Sequence, residues 1–214
     1  MKTWPERVKR YPWSILLLCY LLIIIISSSQ AQGLNDLFLP AIFSPPPVLL
    51  PNGDFESDPI EWVLDPDGEQ LIFSQTELPE GIIPHSGSHA AWLGDHEDLN
   101  PSHANQISQT LIVPGSTPIL RFWRIFDSCE PDCTTTKDWF IVCIQRTGDQ
   151  NCEPVLRRRL CSEWNPFDWF QEIIDLQNFA GQSVTLRIQV TTNNLLPLPY
   201  TSEIYLDDFT FSNH

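Results

Sequence analysis

The feature that most constrains the fold of this chain is a succession of short strand-like runs with almost no helical pattern between them. Eight runs between residues 88 and 211 are rich in β-branched and aromatic residues, and Pro, Gly, Asn or Asp separates them. They are SHAAWLG, NQISQTLIV, PILRFWRIF, DWFIVCIQ, PVLRRRL, WFQEIIDL, SVTLRIQV and SEIYLDDFTF. The nearest approach to a helical period is LQNFAG, which allows one helical turn at most.

The run VTLRIQV shows the alternation of a half-buried strand most clearly. Val184, Leu186, Ile188 and Val190 point one way, while the polar residues between them point the other way. Eight or more strands in a segment of this length predict an all-β fold, a two-sheet antiparallel sandwich.

The first 31 residues have the pattern of an export signal. A basic start precedes an apolar run from Ile15 to Ile26, and the small residues Ser29 and Ala31 suit cleavage by a signal peptidase. The apolar run is short for a membrane span, which needs about 20 residues. We therefore expect a secreted protein without a membrane contact after cleavage; the alternative is an uncleaved anchor that holds the chain at the cell surface.

The remaining chain divides into a tether and one domain. Residues 32–50 contain three consecutive prolines and no regular period, which predicts an extended linker. Residues 51–214 then form a β-sandwich of about 160 residues, a length that suits one domain with a single core.

The charge of the exported part limits its partners. Residues 1–31 hold four of the 12 basic and one of the 27 acidic residues, which leaves 8 basic and 26 acidic residues, a net charge of −18. Such a charge repels phosphate backbones and anionic lipid, so we expect no nucleic-acid partner. It suits solubility, cation binding and neutral ligands such as sugars.

Three motifs at separate places in the chain together resemble a known family. NGDFES with a following EW opens the domain, HSGSHAAWLG comes next, and YLDDFTF closes it. The chain resembles the jelly-roll modules with a galactose-binding-like fold of secreted bacterial proteins, which are related to MAM-type domains and to carbohydrate-binding modules. The resemblance covers residues 50–213 and implies a jelly-roll sandwich that binds glycans or acts as a spacer.

The same resemblance implies a structural calcium ion where the start and end of the domain meet. Glu56 and Asp208 match the family's carboxylate positions, and the further candidates are Asp54, Asp207 and the carbonyl of Gly87. Calcium takes oxygen ligands, which these residues supply.

A transition-metal site is the competing interpretation of the same region, because His85 and His89 are four residues apart. The intervening Ser-Gly-Ser breaks a helix and supplies no base, so a zinc-protease helix is not expected. We expect a turn followed by a strand.

The cysteines predict disulfides. Five remain after export, and they are Cys129, Cys133, Cys143, Cys152 and Cys161. Their spacing contains no paired C-x2-C units, which disfavours zinc, and an odd number leaves one thiol free. Cys143 and Cys152 flank a hairpin turn at RTGDQN, so we expect them to pair. The family often has one cysteine in the DSCEPDC loop and one at the strand end, which implies Cys129–Cys161 or Cys133–Cys161.

Two tryptophans are candidates for a sugar platform. In ILRFWRIF and DWFIVCIQ they fall opposite the apolar positions that we assign to the core. The candidate ligand residues on this outer face are Trp123, Trp139, Arg121, Arg187 and Gln189. A flat indole beside arginine and amide groups suits a pyranose ring, and the alternative is that a neighbouring loop covers the indoles.

No nucleophile motif such as G-x-S-x-G occurs, so we do not expect an enzyme. The arginine run Arg157–Arg159 is interpreted as a solvated strand end that pairs with surface acids. The sequence thus predicts a secreted, non-catalytic module that binds extracellular carbohydrate. The alternatives are an adhesion or spacer protein with a protein partner, and a small secreted hydrolase.

Overall fold

The structure is a computed structural model, and it describes residues 48–57, 61–66, 68–94, 103–162, 168–193 and 202–212 of the 214-residue chain. Eleven strands run in the order β1 (Val48–Leu49), β2 (Val63–Asp65), β3 (Ile72–Ser74), β4 (His89–Gly94), β5 (His103–Ile112), β6 (Ile119–Ser128), β7 (Trp139–Arg146), β8 (Glu153–Arg159), β9 (Phe170–Asp175), β10 (Ser183–Thr192) and β11 (Ser202–Ser212). One 3-10 turn, Gln177–Phe179, lies between β9 and β10, within LQNFAG. In these ranges no helix is long and apolar enough to cross a membrane.

The strands form two antiparallel sheets. The first sheet has the order β3-β4-β11-β6-β9, with β1 paired to β11, and the second has the order β2-β5-β10-β7-β8. Apart from the consecutive pairs β3–β4 and β7–β8, neighbouring strands are distant in sequence, as in a jelly roll. The all-β, two-sheet jelly-roll prediction is confirmed, and all eight strand-like runs of the sequence are strands.

Three short strands are additions to the predicted set. β1, β2 and β3 have only two or three residues each, too few for an alternating pattern to be recognised. β1 also changes the predicted tether, because Val48–Leu49 pairs with β11 and Leu50 is buried. These three residues belong to the sandwich. The predicted signal, residues 1–31, and residues 32–47 of the tether lie outside the described residues.

The core lies between the sheets and is filled by alternate residues of each strand. β10 shows the predicted pattern, with Val184, Leu186, Ile188 and Val190 all buried. Aromatic rings join the two layers: the ring of Phe122 in β6 stacks on Phe209 of β11 at 4.8 Å and meets Phe140 of the second sheet edge-on at 6.2 Å. Each such buried side chain contributes about 1.5–3 kcal/mol through the hydrophobic effect.

The NGDFES motif packs its backbone against the end of β11. The N–H of Phe209 donates to the carbonyl oxygen of Gly53 at 2.8 Å, and a Cβ on Gly53 would lie 2.3 Å from the Phe209 carbonyl oxygen. Only glycine allows that approach. The rings of Phe55, Trp62 and Phe209 then form one cluster. This packing fixes Glu56 beside β11 and beside the turn before β4.

Candidate functional site

Glu56 clamps the Ser-Gly-Ser turn that precedes β4. Its Oε1 accepts the backbone N–H groups of Ser88 at 2.7 Å and His89 at 2.6 Å, and its Oε2 accepts the Ser88 hydroxyl at 2.8 Å. Burial alone would raise the pKa of Glu56, but these hydrogen bonds outweigh burial and lower the pKa to about 2. Gly87 lies directly over the carboxylate, with a φ of +58° and no room for a Cβ, which would come 2.4 Å from Oε1.

Two adjacent aspartates hold the other side of this turn. A register shift in β11 after Asp207 and a φ of +53° at Asp208 bring both carboxylates to the same segment. Asp207 accepts the Ser86 N–H at 3.0 Å, and Asp208 contacts the Ser86 hydroxyl at 2.7 Å and His85 Nδ1 at 2.5 Å. Burial, with the Asp208 charge beside it, raises the pKa of Asp207 to about 7.

Four of the five predicted calcium residues therefore meet around one turn: Glu56, Gly87, Asp207 and Asp208. Asp54 lies two residues away and accepts the Glu56 N–H at 3.4 Å. Each carboxylate oxygen of the first set accepts a hydrogen bond from the protein, and the described ranges contain no group of three acidic, His or Cys side chains arranged to hold a metal. The oxygen donors suit calcium, but a cation there would replace some of these hydrogen bonds.

The histidines of this segment contact carboxylates on different sides of the turn. His85 contacts Asp208, and His89 Nδ1 lies 3.2 Å from Glu56 Oε2. The turn followed by a strand is the predicted local structure, and the His-x3-His spacing forms no helix. Of the next two histidines in the sequence, His103 begins β5 and His96 lies outside the described residues.

Trp123 faces outward from the first sheet, and a neighbouring segment covers it. The His85 ring stacks on the indole at 4.1 Å with an interplanar angle of 15°. Trp169 meets the same imidazole edge-on, and its Nε1 donates to the Ile83 carbonyl at 2.9 Å. Arg121, on the same face, donates to Ser212 and Gln171. The alternative in which a loop covers the indole holds for Trp123.

The other three predicted ligand residues lie together on the outer face of the second sheet. Gln189 of β10 pairs with Gln106 of β5 on one side and with Ile141 of β7 on the other. Arg187 and Trp139 take outward positions two residues to either side along these strands. The prediction of a single outer face with all five residues was wrong, because Arg121 and Trp123 belong to the first sheet.

This face holds two further arginines that sequence reasoning did not assign to it. The guanidinium carbon of Arg157 lies 3.8 Å from the Trp139 ring centroid, and that of Arg159 lies 5.0 Å away. Arg187 has its Nε buried without a hydrogen-bond acceptor among the described residues. The register Trp139↔Arg159 follows from the hairpin between β7 and β8, which was the available signal.

The middle residue of the arginine run points the opposite way. Arg158 donates to Glu172 at 2.9 Å, and Arg124 of β6 contacts the same carboxylate at 2.7 Å. Glu172 is only 4% exposed. Burial lowers the pKa of Arg124, and the carboxylate opposes that shift. The expected surface acid is therefore wrong for Arg158: its partner is a buried glutamate that links the edges of the two sheets.

The disulfides agree with the predicted pairs. Cys143 bonds to Cys152 across the β7–β8 hairpin, and Cys133 bonds to Cys161. Cys129 is the free, exposed thiol. Of the two alternatives for the second bridge, the structure has Cys133–Cys161.

Two grooves lie on the surface of the described part of the chain, one lined by carboxylates and the other by arginines. One, of about 380 Å³, is polar and includes the carboxylates of Glu56 and Glu77 together with His89. The other, of about 240 Å³, is formed by the arginine run, Cys133 and Phe126. The acidic groove adjoins the clamped turn, while the basic groove lies along the arginines of β8.

Comparison with known proteins identifies the fold. A scan against protein-family models finds no match, and a search of curated proteins finds none either. Among solved structures, a family 61 carbohydrate-binding module in complex with β-1,4-galactotriose has a TM-score of 0.50 at 16% identity, covering 78% of this chain and 99% of that module. The chain shares the jelly-roll sandwich fold of that module.

Two further similar structures have lower TM-scores. A family 22 xylan-binding domain has a TM-score of 0.46 at 15% identity, covering 78% of this chain and 96% of its own. The K3 cleaved adhesin domain of Lys-gingipain from Porphyromonas gingivalis W83 also has a TM-score of 0.46, at 20% identity, covering 77% of this chain and 98% of its own.

Proposed function

We propose that this chain is an exported, non-catalytic carbohydrate-binding module that holds sugar on the outer face of its second sheet. The observation that carries the proposal is that Trp139, Arg187 and Gln189 lie on one outer face and are each only half-buried. An indole supplies apolar area beside a few polar groups that fix orientation, which is the usual composition of a sugar site. A solved module with this fold in complex with a galactotriose supports the ligand class.

Two hydroxyl–imidazole–carboxylate groups lie beside the clamped turn, and neither shows the arrangement of a catalytic triad. In one, the Ser86 hydroxyl and His85 Nδ1 both contact the Asp208 carboxylate. The second group is formed by Ser88, His89 and Glu56. Ser88 Oγ lies 3.0 Å from His89 Nδ1, and Glu56 Oε2 lies 3.2 Å from the same nitrogen. A triad needs the nucleophile and the carboxylate on opposite ring nitrogens, so that one proton is taken while the other is held. This geometry supports a binding role over the alternative of a small hydrolase.

A glycan array with the mature chain tests the proposal. Arg187→Ala and Gln189→Ala should each lower binding about tenfold or more, because each removes a donor at the centre of the face. Arg121→Ala is the matched control: it removes the same kind of side chain from the outer face of the other sheet and should leave binding unchanged. An array without any bound glycan would overturn the proposal and favour the adhesion or spacer alternative.

We also propose that a structural calcium ion binds at the clamped turn, held by oxygens of Glu56, Asp207 and Asp208, with the Gly87 carbonyl and Asp54 as further candidates. The supporting observation is the buried Asp207 carboxylate, whose pKa is raised to about 7 beside a second carboxylate. A divalent cation would lower the cost of that charge pair. Thermal melts in calcium and in chelator test this, and an unchanged midpoint would contradict it.

A further inference from the structure

We propose that the outer face of the second sheet is selective for an anionic glycan, one that carries carboxylate or sulfate groups. The inference rests on the proposed carbohydrate-binding function and names the ligand class of that same face. It starts from the distribution of the eight basic residues among residues 32–214.

Four of these basic side chains already have partners within the protein. Arg124 and Arg158 share Glu172, Arg146 pairs with Glu153, and Arg121 donates to neutral oxygens of the first sheet. Lys137 is exposed. The three arginines of the second sheet's outer face form no ion pair with a carboxylate in the described part of the chain, although the charge of Arg159 adds to the hydrogen bonds that lower the pKa of Asp132. These three arginines are Arg157, Arg159 and Arg187.

Unpaired arginines are unexpected in a chain with a net charge of −18 after export, because acids outnumber bases by more than three to one. Random placement would give most surface arginines an acidic neighbour. Their collection on one face, around Trp139, is therefore a local positive region on an acidic protein. A guanidinium binds carboxylate or sulfate through two parallel N–H donors, which a neutral hydroxyl cannot match.

The positions of these guanidinium groups are fixed before any ligand arrives. Arg159 donates to the carbonyl oxygens of Cys133 and Thr134, in the loop that the Cys133–Cys161 disulfide closes. Arg157 lies on the Trp139 ring at 3.8 Å. A groove of about 240 Å³ adjoins them at the edge of the sheet, where Phe126, Cys133 and the arginine run line it.

Arg187 makes a second positive position on the same face. It lies in β10, and the arginines of β8 are two strands away, about 10 Å at the usual strand spacing. Its Nε is buried without an acceptor among the described residues, and the side chain as a whole is half-buried, so an anion at its accessible end would offset the cost of burying the charge. Two separated positive positions suit a chain that repeats its acidic group, as an acidic polysaccharide does.

A polysaccharide fits this face better than a nucleic acid. A protein that binds a phosphate backbone usually has many basic residues along the binding surface and no large negative net charge. This protein has only three arginines on the face and is strongly acidic. One indole with two arginines against it supplies a short site rather than a groove that tracks many nucleotides.

Affinity measurements with paired ligands test the inference. The mature chain is titrated with polygalacturonate, its methyl ester, a sulfated galactan, a neutral galactan and single-stranded DNA. We expect the acid or the sulfated polymer to bind at least tenfold more tightly than its uncharged counterpart, and the preference to weaken with salt. The acid and sulfate arms distinguish the source of the anionic group.

Three variants locate the binding. Arg187→Gln and Arg157→Gln should each reduce binding to the acidic polymer roughly 10- to 100-fold, the effect of one charge-assisted hydrogen bond. Arg146→Gln is the matched control, because it removes the same charge from the same sheet where Glu153 already pairs it, and it should change binding less than about twofold. A thermal melt of each variant confirms that it is folded.

The outcomes separate this inference from the proposed function. Equal binding to polygalacturonate and its methyl ester would overturn the anionic preference while leaving carbohydrate binding in place. Binding to no glycan would overturn both. Acidic binding that survives Arg187→Gln and Arg157→Gln would overturn the assigned face, and DNA bound as tightly as the acidic polymers would overturn the choice of glycan.

Discussion

The outer faces of the two sheets have similar sequence patterns but differ in what lies over their tryptophans. Each carries a tryptophan at an outward position of a long strand, Trp123 on the first sheet and Trp139 on the second. On the first sheet, residues 75–89 (the cover segment) lie over the face, and Leu78 and Ile82 pack into a second hydrophobic cluster there. On the second sheet, the described residues place only arginine side chains on the indole.

The difference shows what an outward tryptophan means in this fold. Where the chain supplies its own cover, the indole adds to stability, and His85 occupies the ring face that a sugar would need. On the second sheet, Arg157 and Arg159 lie against the Trp139 ring, and we propose that their guanidinium groups and polar neighbours contact a ligand. The acids that hold the cover segment in place are thus structural on the first sheet, whereas the arginines of the second sheet are the groups to which we assign binding in our proposal.

The largest expected effect comes from releasing the cover segment. Gly87→Ala should cost about 2–5 kcal/mol of unfolding free energy, because a left-handed residue is strained and the new Cβ displaces Glu56 from the turn. Gly81→Ala is the control: its φ of +94° carries similar strain, but open space surrounds it. It should cost only about 1 kcal/mol. Urea unfolding measures both, and equal losses would contradict the role of the clamp.

Exchanging the two tryptophans for alanine should give opposite results. Trp123→Ala removes packing against His85 and should cost about 2–3 kcal/mol of stability without changing glycan affinity. Trp139→Ala should cost less stability, about 1 kcal/mol, and reduce glycan affinity about tenfold. Thermal unfolding and ligand titration of both variants check this. If Trp123→Ala lost binding while remaining folded, the site would belong to the first sheet.

The stability of the protein should depend on pH, because Asp207 of β11 holds the cover segment through the Ser86 N–H. The pKa of Asp207 is raised to about 7, so the folded state keeps a proton that the unfolded state loses near pH 4. Unfolding free energy should therefore fall as pH rises from about 4 to 7, by about 2 kcal/mol when part of the shift is discounted for solvent and for the nearby His85. Below that window, Glu56 with its lowered pKa acts in the opposite direction.

Asp207→Asn is the variant that isolates this effect. It should remove the fall between pH 4 and 7 even if its overall stability is lower, because the amide does not titrate. Glycan binding on the second sheet should show no matching pH step. Urea unfolding at several pH values measures the slope, and a slope unchanged in the variant would assign the titration to another group.

More of the fold than of the candidate site could be predicted from the sequence. Alternation in β10 and the turn residues between strands are local signals, so eight strands, the sandwich and the Cys143–Cys152 bridge follow from the sequence. Which strands are neighbours is decided by long-range pairing that one sequence does not reveal, and this is why Trp123 and Trp139 were assigned to one face. Residues 75–88, the part of the cover segment before β4, show neither a helical nor a strand period. The sequence therefore does not indicate that they cover a sheet.

In the arginine run, the sequence predicts the orientation of each side chain but not its partner. The alternation of a strand predicts that Arg158 points away from its two neighbours, and it does. That its partner is the buried Glu172 depends on how the edges of the two sheets approach each other. Gly87 was the better signal: a glycine between two serines indicated a turn, and the turn brought Glu56, Asp207 and Asp208 together.

The smallest expected effect compares single hydroxyls on the two sheets. Ser88→Ala removes a 2.8 Å hydrogen bond to Glu56 and should cost about 1 kcal/mol. Thr110→Ala removes an exposed contact to Thr185 on the second sheet and should change stability by less than about 0.5 kcal/mol. Because the Ser88 hydroxyl helps to lower the pKa of Glu56, Ser88→Ala should also raise that pKa in an NMR titration. A pKa that does not move would mean that the two backbone N–H groups hold the carboxylate alone.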